Sequence, residues 1–198
     1  MPGKTVLDAL SHVWRVLEPL NRPTAVMGGL AVAVWQQVRA TQDVDLLIDI
    51  GGQDTGPLLL QLASGGIRPK REPPVLTIGD QRILQCLYEP PQSFIDIQID
   101  LLFADTEFHQ TALRRRRASQ LPETDLDVSV VSCEDLIIFK LLAGRILDRV
   151  DAAMLLRANR ATLDLKYLTD WVSRFSLSSR FAEIWEEAFP SDPPPSDK

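Results

Sequence analysis

The chain opens on a helical rhythm. Leu7, Leu10, Val13, Trp14 and Leu17 recur at three- and four-residue steps and predict an amphipathic helix over residues 5–18. Thr5 and Asp8 suggest a loose capping box at its start, and Pro19 should stop it. Residues 24–27 predict a short strand, which breaks at Gly28-Gly29 into a helical segment running to about Val38. Over 43–50 the period changes to two: Asp43, Asp45, Leu47 and Asp49 share one face, and Val44, Leu46, Ile48 and Ile50 the other. A short helix is expected over 54–64, capped by Asp54 and closed by Gly65-Gly66. Residues 67–92 are Pro-rich and suggest a hairpin turning at Gly79-Asp80. Residues 94–103, FIDIQIDLLF, predict another strand, with Asp96, Gln98, Asp100 and Leu102 on one face.

Asp105 should cap a helix reaching about Ser119, and a strand follows over 126–131. Ser132 with Asp135 opens a helix through Leu142, and later helical patterns cover 148–158, 163–175 and 178–189. The tail SDPPPSDK has the composition of a disordered end. This order predicts an α/β (α+β) domain, a mixed sheet flanked by helices, over residues 1–131. A helical subdomain over 132–189 and a tail over 190–198 complete the chain.

Composition narrows the class. With 198 residues and 45% apolar content, the chain is large enough for one good core. A net charge of −6 excludes a wholesale basic footprint for duplex nucleic acid. Cys86 and Cys133 fall in apolar segments and show neither a disulfide framework nor zinc spacing. No stretch reaches membrane-spanning length, and charged residues interrupt the N-terminal apolar pattern. The expectation is a cytoplasmic protein with no membrane partner.

Candidate chemistry gathers around two stretches. Asp43 and Asp45 lie two apart on a strand, their Cα atoms roughly 6.5–7 Å apart, close enough to share a hard divalent cation. Ahead of them, a Gly-Gly turn entering a helix lets backbone approach a phosphate at the positive end of the helix dipole. Arg39 and Thr41 stand just before the pair, where Arg39 suits a phosphate, a carboxylate or the plain surface. A third carboxylate is available from Asp96 or Asp100, roughly 13 Å apart along their strand. Asp100 is favoured because it lies nearer the C-terminal end, where sites in open sheets collect.

The second stretch is SCEDLIIFKLLAGR, residues 132–145, followed by Asp148 and Asp151. Lys140 stands alone among Leu136, Ile137, Phe139, Leu141 and Leu142, so it must face an anion: a phosphate, or Asp148 or Asp151. Arg114, Arg115, Arg116 and Arg117 form the one basic run and are expected to wrap a solvated helix end. His12 and His109 are expected on helix surfaces.

Met27-Gly28-Gly29, a spacer of about a dozen residues and Asp43-Val44-Asp45 together resemble the signature of the DNA polymerase beta nucleotidyltransferase superfamily. The 132–151 pattern resembles a bacterial branch that includes AbiEii-type toxins. The resemblance implies a nucleotidyltransferase-like sheet and an enzyme that moves a nucleoside monophosphate from an NTP to a hydroxyl of an RNA or protein acceptor. It implies Mg2+ or Mn2+ on Asp43, Asp45 and Asp100, with Gly28, Gly29, Arg39, Thr41 and Lys140 at the nucleotide. A cognate antitoxin or a homodimer would then be a partner. Two other readings remain open: a catalytically silent nucleotide-binding module acting through a protein partner, and the toxin of a toxin–antitoxin pair.

Overall fold

The structure, a computed structural model, describes residues 3–36, 40–52, 54–91, 93–121 and 126–195. The chain forms two compact units, Met1–Val34 with Val38–Val131, and Trp35–Gln37 with Ser132–Lys198.

In the first unit, helix α1 (Lys4–Leu17) buries Val6, Leu7, Leu10, Val13 and Leu17, the stripe set by its sequence period. A 3-10 turn over Glu18–Leu20 carries Pro19 and ends it. Gly3 is the N-cap and no side chain caps the helix, so the expected Thr5–Asp8 box does not form; Thr5 lies already inside the first turn. The chain continues through β1 (Thr24–Val26), α2 (Gly28–Trp35), β2 (Asp43–Ile48) and α3 (Gly56–Ser64). Next come β3 (Arg68–Pro69), β4 (Val75–Ile78), β5 (Gln81–Tyr88) and β6 (Ile97–Phe103), then α4 (Glu107–Arg115), β7 (Arg117–Gln120) and β8 (Asp127–Val130). Among the described residues, eight strands make one mixed sheet in the order β3-β5-β6-β2-β1-β8-β7, with β4 paired to β5. The central strands bury Val44, Leu46, Leu47, Ile48, Ile99, Leu101 and Phe103 almost completely. Each such side chain is worth about 1.5–3 kcal/mol in transfer from water.

Four expectations change, each for a local reason. Strand β6 begins at Ile97 rather than Phe94, because its pairing with β5 runs out where Ile97 meets Tyr88. Thr106, not Asp105, caps α4: its hydroxyl accepts the His109 amide, while Arg82 takes both oxygens of Asp105 at 2.7 Å. That helix stops at Arg115, and Arg117 pairs with Val130 as the first residue of an edge strand. The four arginines therefore span a helix end and a strand instead of one helix. Asp54 does accept the Gly56 amide at 2.9 Å, but the N-cap position of α3 is Thr55.

Both histidines are more enclosed than expected. His109 is 1% exposed, with Nδ1 bonded to the Phe103 carbonyl at 3.1 Å, and burial holds its pKa below the ordinary value. His12 meets the Gly65 carbonyl at 2.7 Å and stacks on Tyr88 with ring centres 4.3 Å apart.

The second unit holds α5 (Cys133–Ala143), α6 (Ile146–Asn159), α7 (Leu165–Arg174) and α8 (Ser178–Ala188). Helix α5 is buried nearly all round, which is why its one lysine needs anionic partners inside the unit. Ser132 caps it by accepting the Asp135 amide, and Gly144 closes it in the left-handed region at φ 65°. Cys86 and Cys133 are both buried free thiols, and burial pushes each pKa up to about 12. Among the described residues no helix is long and apolar enough to cross a membrane.

Candidate active site

Strand β2 lies between β1 and β6, parallel to β6 and antiparallel to β1. In that register Asp45 stands directly across from Asp100, and Asp43 from Gln98. Paired residues on neighbouring strands project from the same face, so Asp43, Asp45, Gln98 and Asp100 form one patch on strands about 4.8 Å apart. Gln85 on β5, the cross-strand partner of Asp100, extends it.

The two glycines are explained by what packs on them. Gly28 has a φ of +61°, and a Cβ there would lie 1.8 Å from Asp45 Oδ2. A Cβ on Gly29 would lie 2.6 Å from Thr41 Oγ1. No other residue tolerates both the left-handed backbone and that approach at position 28. The Met27 amide also donates to the Asp45 carbonyl at 2.9 Å, which locks the turn to β2. Thr41, 9% exposed, donates to Asp43 Oδ1 at 2.7 Å. The start of α2, Thr41 and the Asp43–Asp45 strand are thus one interlocked piece.

Asp100 is held by neutral groups. Gln98 Nε2 is 3.0 Å from each of its oxygens, and Gln85 Nε2 is 3.4 Å from each. Its pKa is raised, chiefly by burial and also by the charge of Asp43, against the lowering effects of Gln98, Gln85 and Lys70. Asp96 is elsewhere: it lies ahead of β6 and is bonded by Arg68 at 2.6 Å. Closeness to a strand end does not distinguish Asp100, which lies mid-strand in β6, opposite the middle of β2. Its register with Asp45 is what distinguishes it.

Among the described residues, no three His, Cys, Asp or Glu side chains stand close enough to hold a cation together. The bonds explain this, since Asp43 is turned to Thr41 and both oxygens of Asp100 face amides. The donor set still fits a hard divalent ion. Three oxygen-only side chains share a face, and burial first, with the charge of Asp43 adding to it, raises the pKa of Asp100, an effect a bound cation would oppose. A cavity of about 300 Å3 in this unit is lined by Trp14, Arg22, Thr24, Arg116 and Ser129. It adjoins the first residue of β1, whereas Asp45 adjoins the residue after the last.

Arg39 lies outside the described residues. Lys140 belongs to the helical unit, where its ammonium lies 2.9 Å from both Asp148 and Asp151. Arg145 binds the other oxygen of Asp148 at 2.6 Å. Two residues that the sequence did not single out, Gln98 and Gln85, are the direct partners of Asp100. The alternation of IDIQIDLL placed Gln98 beside Asp100, but only the sheet register brings in Gln85.

No protein-family model and no curated protein matches the chain by sequence. Solved structures do match in shape. The structure of ANT(2")-Ia in complex with adenylyl-2"-tobramycin superposes with a TM-score of 0.53 at 18% identity, covering 90% of this chain and 100% of that one. JHP933 from Helicobacter pylori gives 0.52 at 14% identity, over 97% and 83% of the two chains. A putative nucleotidyltransferase from H. pylori gives 0.51 at 13% identity, over 96% and 85%. The fold is nucleotidyltransferase-like. Within this nucleotidyltransferase-like sheet, the Gly28 turn, the β2 carboxylates and Asp100 form a single patch.

Proposed function

We propose that this protein is a metal-dependent nucleotidyltransferase that transfers a nucleoside monophosphate from an NTP to a hydroxyl of an RNA or protein acceptor. The observation that carries the reading is the register of Asp45 with Asp100, beside a glycine turn shaped around Asp45 itself. Gly28 and Gly29 open α2, whose first amides have no acceptor within the helix, the feature that suits a helix start to a polyphosphate. Asp43, Asp45 and Asp100 would hold Mg2+ or Mn2+, which supplies charge neutralisation at the phosphates. Asp100 accepts the proton of the attacking hydroxyl. The hydroxyl oxygen bonds to the α-phosphorus as the bond to the bridging oxygen breaks, and pyrophosphate leaves. Thr41 keeps Asp43 aimed. Lys140 is assigned the task of tying α5 to α6, because two carboxylates already balance its charge. Two buried free thiols suit a reducing compartment such as the cytoplasm.

Transfer of label from α-labelled triphosphates, each base in turn, to total RNA and lysate protein tests the reading. Wild type should label one size class, and Asp45→Asn should abolish that label while leaving the circular dichroism spectrum unchanged. Equal labelling by both proteins would remove Asp45 from the chemistry. The amide cover on Asp100 favours one second reading, a nucleotide-binding module without turnover. Magnesium-dependent nucleotide binding with no label on any acceptor would select it.

A further inference from the structure

Lys70 and Arg71 follow β3 at the sheet edge, both exposed, and among the described residues neither is paired with a carboxylate. Lys70 Nζ donates to Gln98 Oε1 at 2.6 Å, and Arg71 Nη2 to Gln85 Oε1 at 3.0 Å. A cation at the oxygen end of an amide turns its NH2 end the other way. Here both NH2 groups meet Asp100. Neighbouring Arg68, by contrast, is already paired with Asp96. Two exposed cations are therefore joined to one half-buried carboxylate through two neutral amides.

The sheet order gives this a direction. Reading β3-β5-β6-β2-β1, the cations come first, then Gln85, then Gln98 with Asp100, then Asp43 with Asp45, and last the Gly28 turn. The polyphosphate end and the cation end flank the carboxylates. An anion arriving at Lys70 or Arg71 outcompetes an amide oxygen, because it adds an opposite full charge and, at Arg71, a two-point fit that a neutral amide oxygen lacks. The path from Lys70 to Asp100, two hydrogen bonds and one amide, is on the order of one sugar in length.

We propose that Lys70 and Arg71 form an anion subsite for the acceptor, and that Gln98 and Gln85 are positioning residues that aim Asp100 at the acceptor's hydroxyl. The proposal rests on the transferase reading and deepens it. The acceptor it fits carries a phosphate one sugar away from the reacting hydroxyl, as a ribonucleotide does, whether free or at the end of an RNA strand.

Fluorescence anisotropy of a labelled oligoribonucleotide with a free 3′ hydroxyl, without NTP, tests the subsite on the full chain. In an Asp45→Asn background, Lys70→Met/Arg71→Met should weaken binding about tenfold or more and lower the salt slope by about one to two phosphate contacts. Adenosine monophosphate as competitor separates the sources: displacement at equal concentration assigns the free nucleotide, and failure to displace assigns the strand end. In the otherwise wild-type chain, Gln98→Met should leave oligonucleotide affinity unchanged and lower kcat at constant KM. Equal affinity and slope in the double variant overturn the subsite. Loss of affinity in Gln98→Met equal to that of the double variant overturns the positioning role. Because anisotropy needs no transfer, RNA binding that depends on Lys70 and Arg71, found together with no label transfer by the wild-type protein, retires the transferase reading alone.

Discussion

Among the described residues, a buried group of charge in the helical unit and a half-buried one in the sheet unit are built on opposite principles. In the helical unit, Lys140 and Arg145 face Asp148 and Asp151, two cations against two carboxylates, at distances of 2.6–2.9 Å. In the sheet unit, Asp43 and Asp100 are held by a hydroxyl and two amides, donors that add no positive charge. Burial acts on both groups, yet the outcomes differ. Asp148 ends below its ordinary pKa because Arg145 and Lys140 outweigh desolvation, whereas Asp100 ends above its own because burial and Asp43 prevail. A balanced cluster is a structural tie. A carboxylate held by neutral amides beside a second carboxylate keeps a repulsion that an arriving cation would release.

The contrast can be broken most directly at Lys140. Lys140→Met leaves two buried carboxylates without their shared cation and should cost about 3–5 kcal/mol in urea unfolding. A cost below about 1 kcal/mol would mean that the cluster is not the tie described. The next effect is acidic. The folded pKa of Asp148 lies below its ordinary 3.8, so its stabilisation is complete above that value and is lost as pH falls through the lower folded value. The stability gap between wild type and Asp148→Asn should therefore narrow steadily below about pH 4. The smallest effect belongs to the other cluster. Asp100→Asn keeps an acceptor for Gln98 and removes the repulsion from Asp43, so stability should stay within about 1 kcal/mol of wild type. A loss there as large as that of Lys140→Met would erase the distinction between the two groups.

Much of the scaffold was legible in the pattern. The period of α1, the alternation of β2 and β6, and the Ser132 cap of α5 all fall where spacing put them, because each depends on residues near in sequence. The misreadings sit where a distant partner decides. Arg117 left a predicted helix because β8 offered it an edge, and Phe94 and Ile95 left a predicted strand because β5 ends at Tyr88. His109 looked like surface and is buried, since its companion is a carbonyl six residues earlier at the end of β6.

What the chain determined alone is the pairing of a glycine turn with an Asp-x-Asp strand, because both are local geometry: a left-handed φ and a period of two. Tertiary structure decided which third carboxylate faces that strand, and that glutamines rather than cations hold it. Register between strands whose paired residues lie 55 positions apart is set by hydrogen-bonded ladders and by the burial of their apolar faces, and no local spacing encodes it. The same ladders carried Lys70 and Arg71 to within one amide of Asp100.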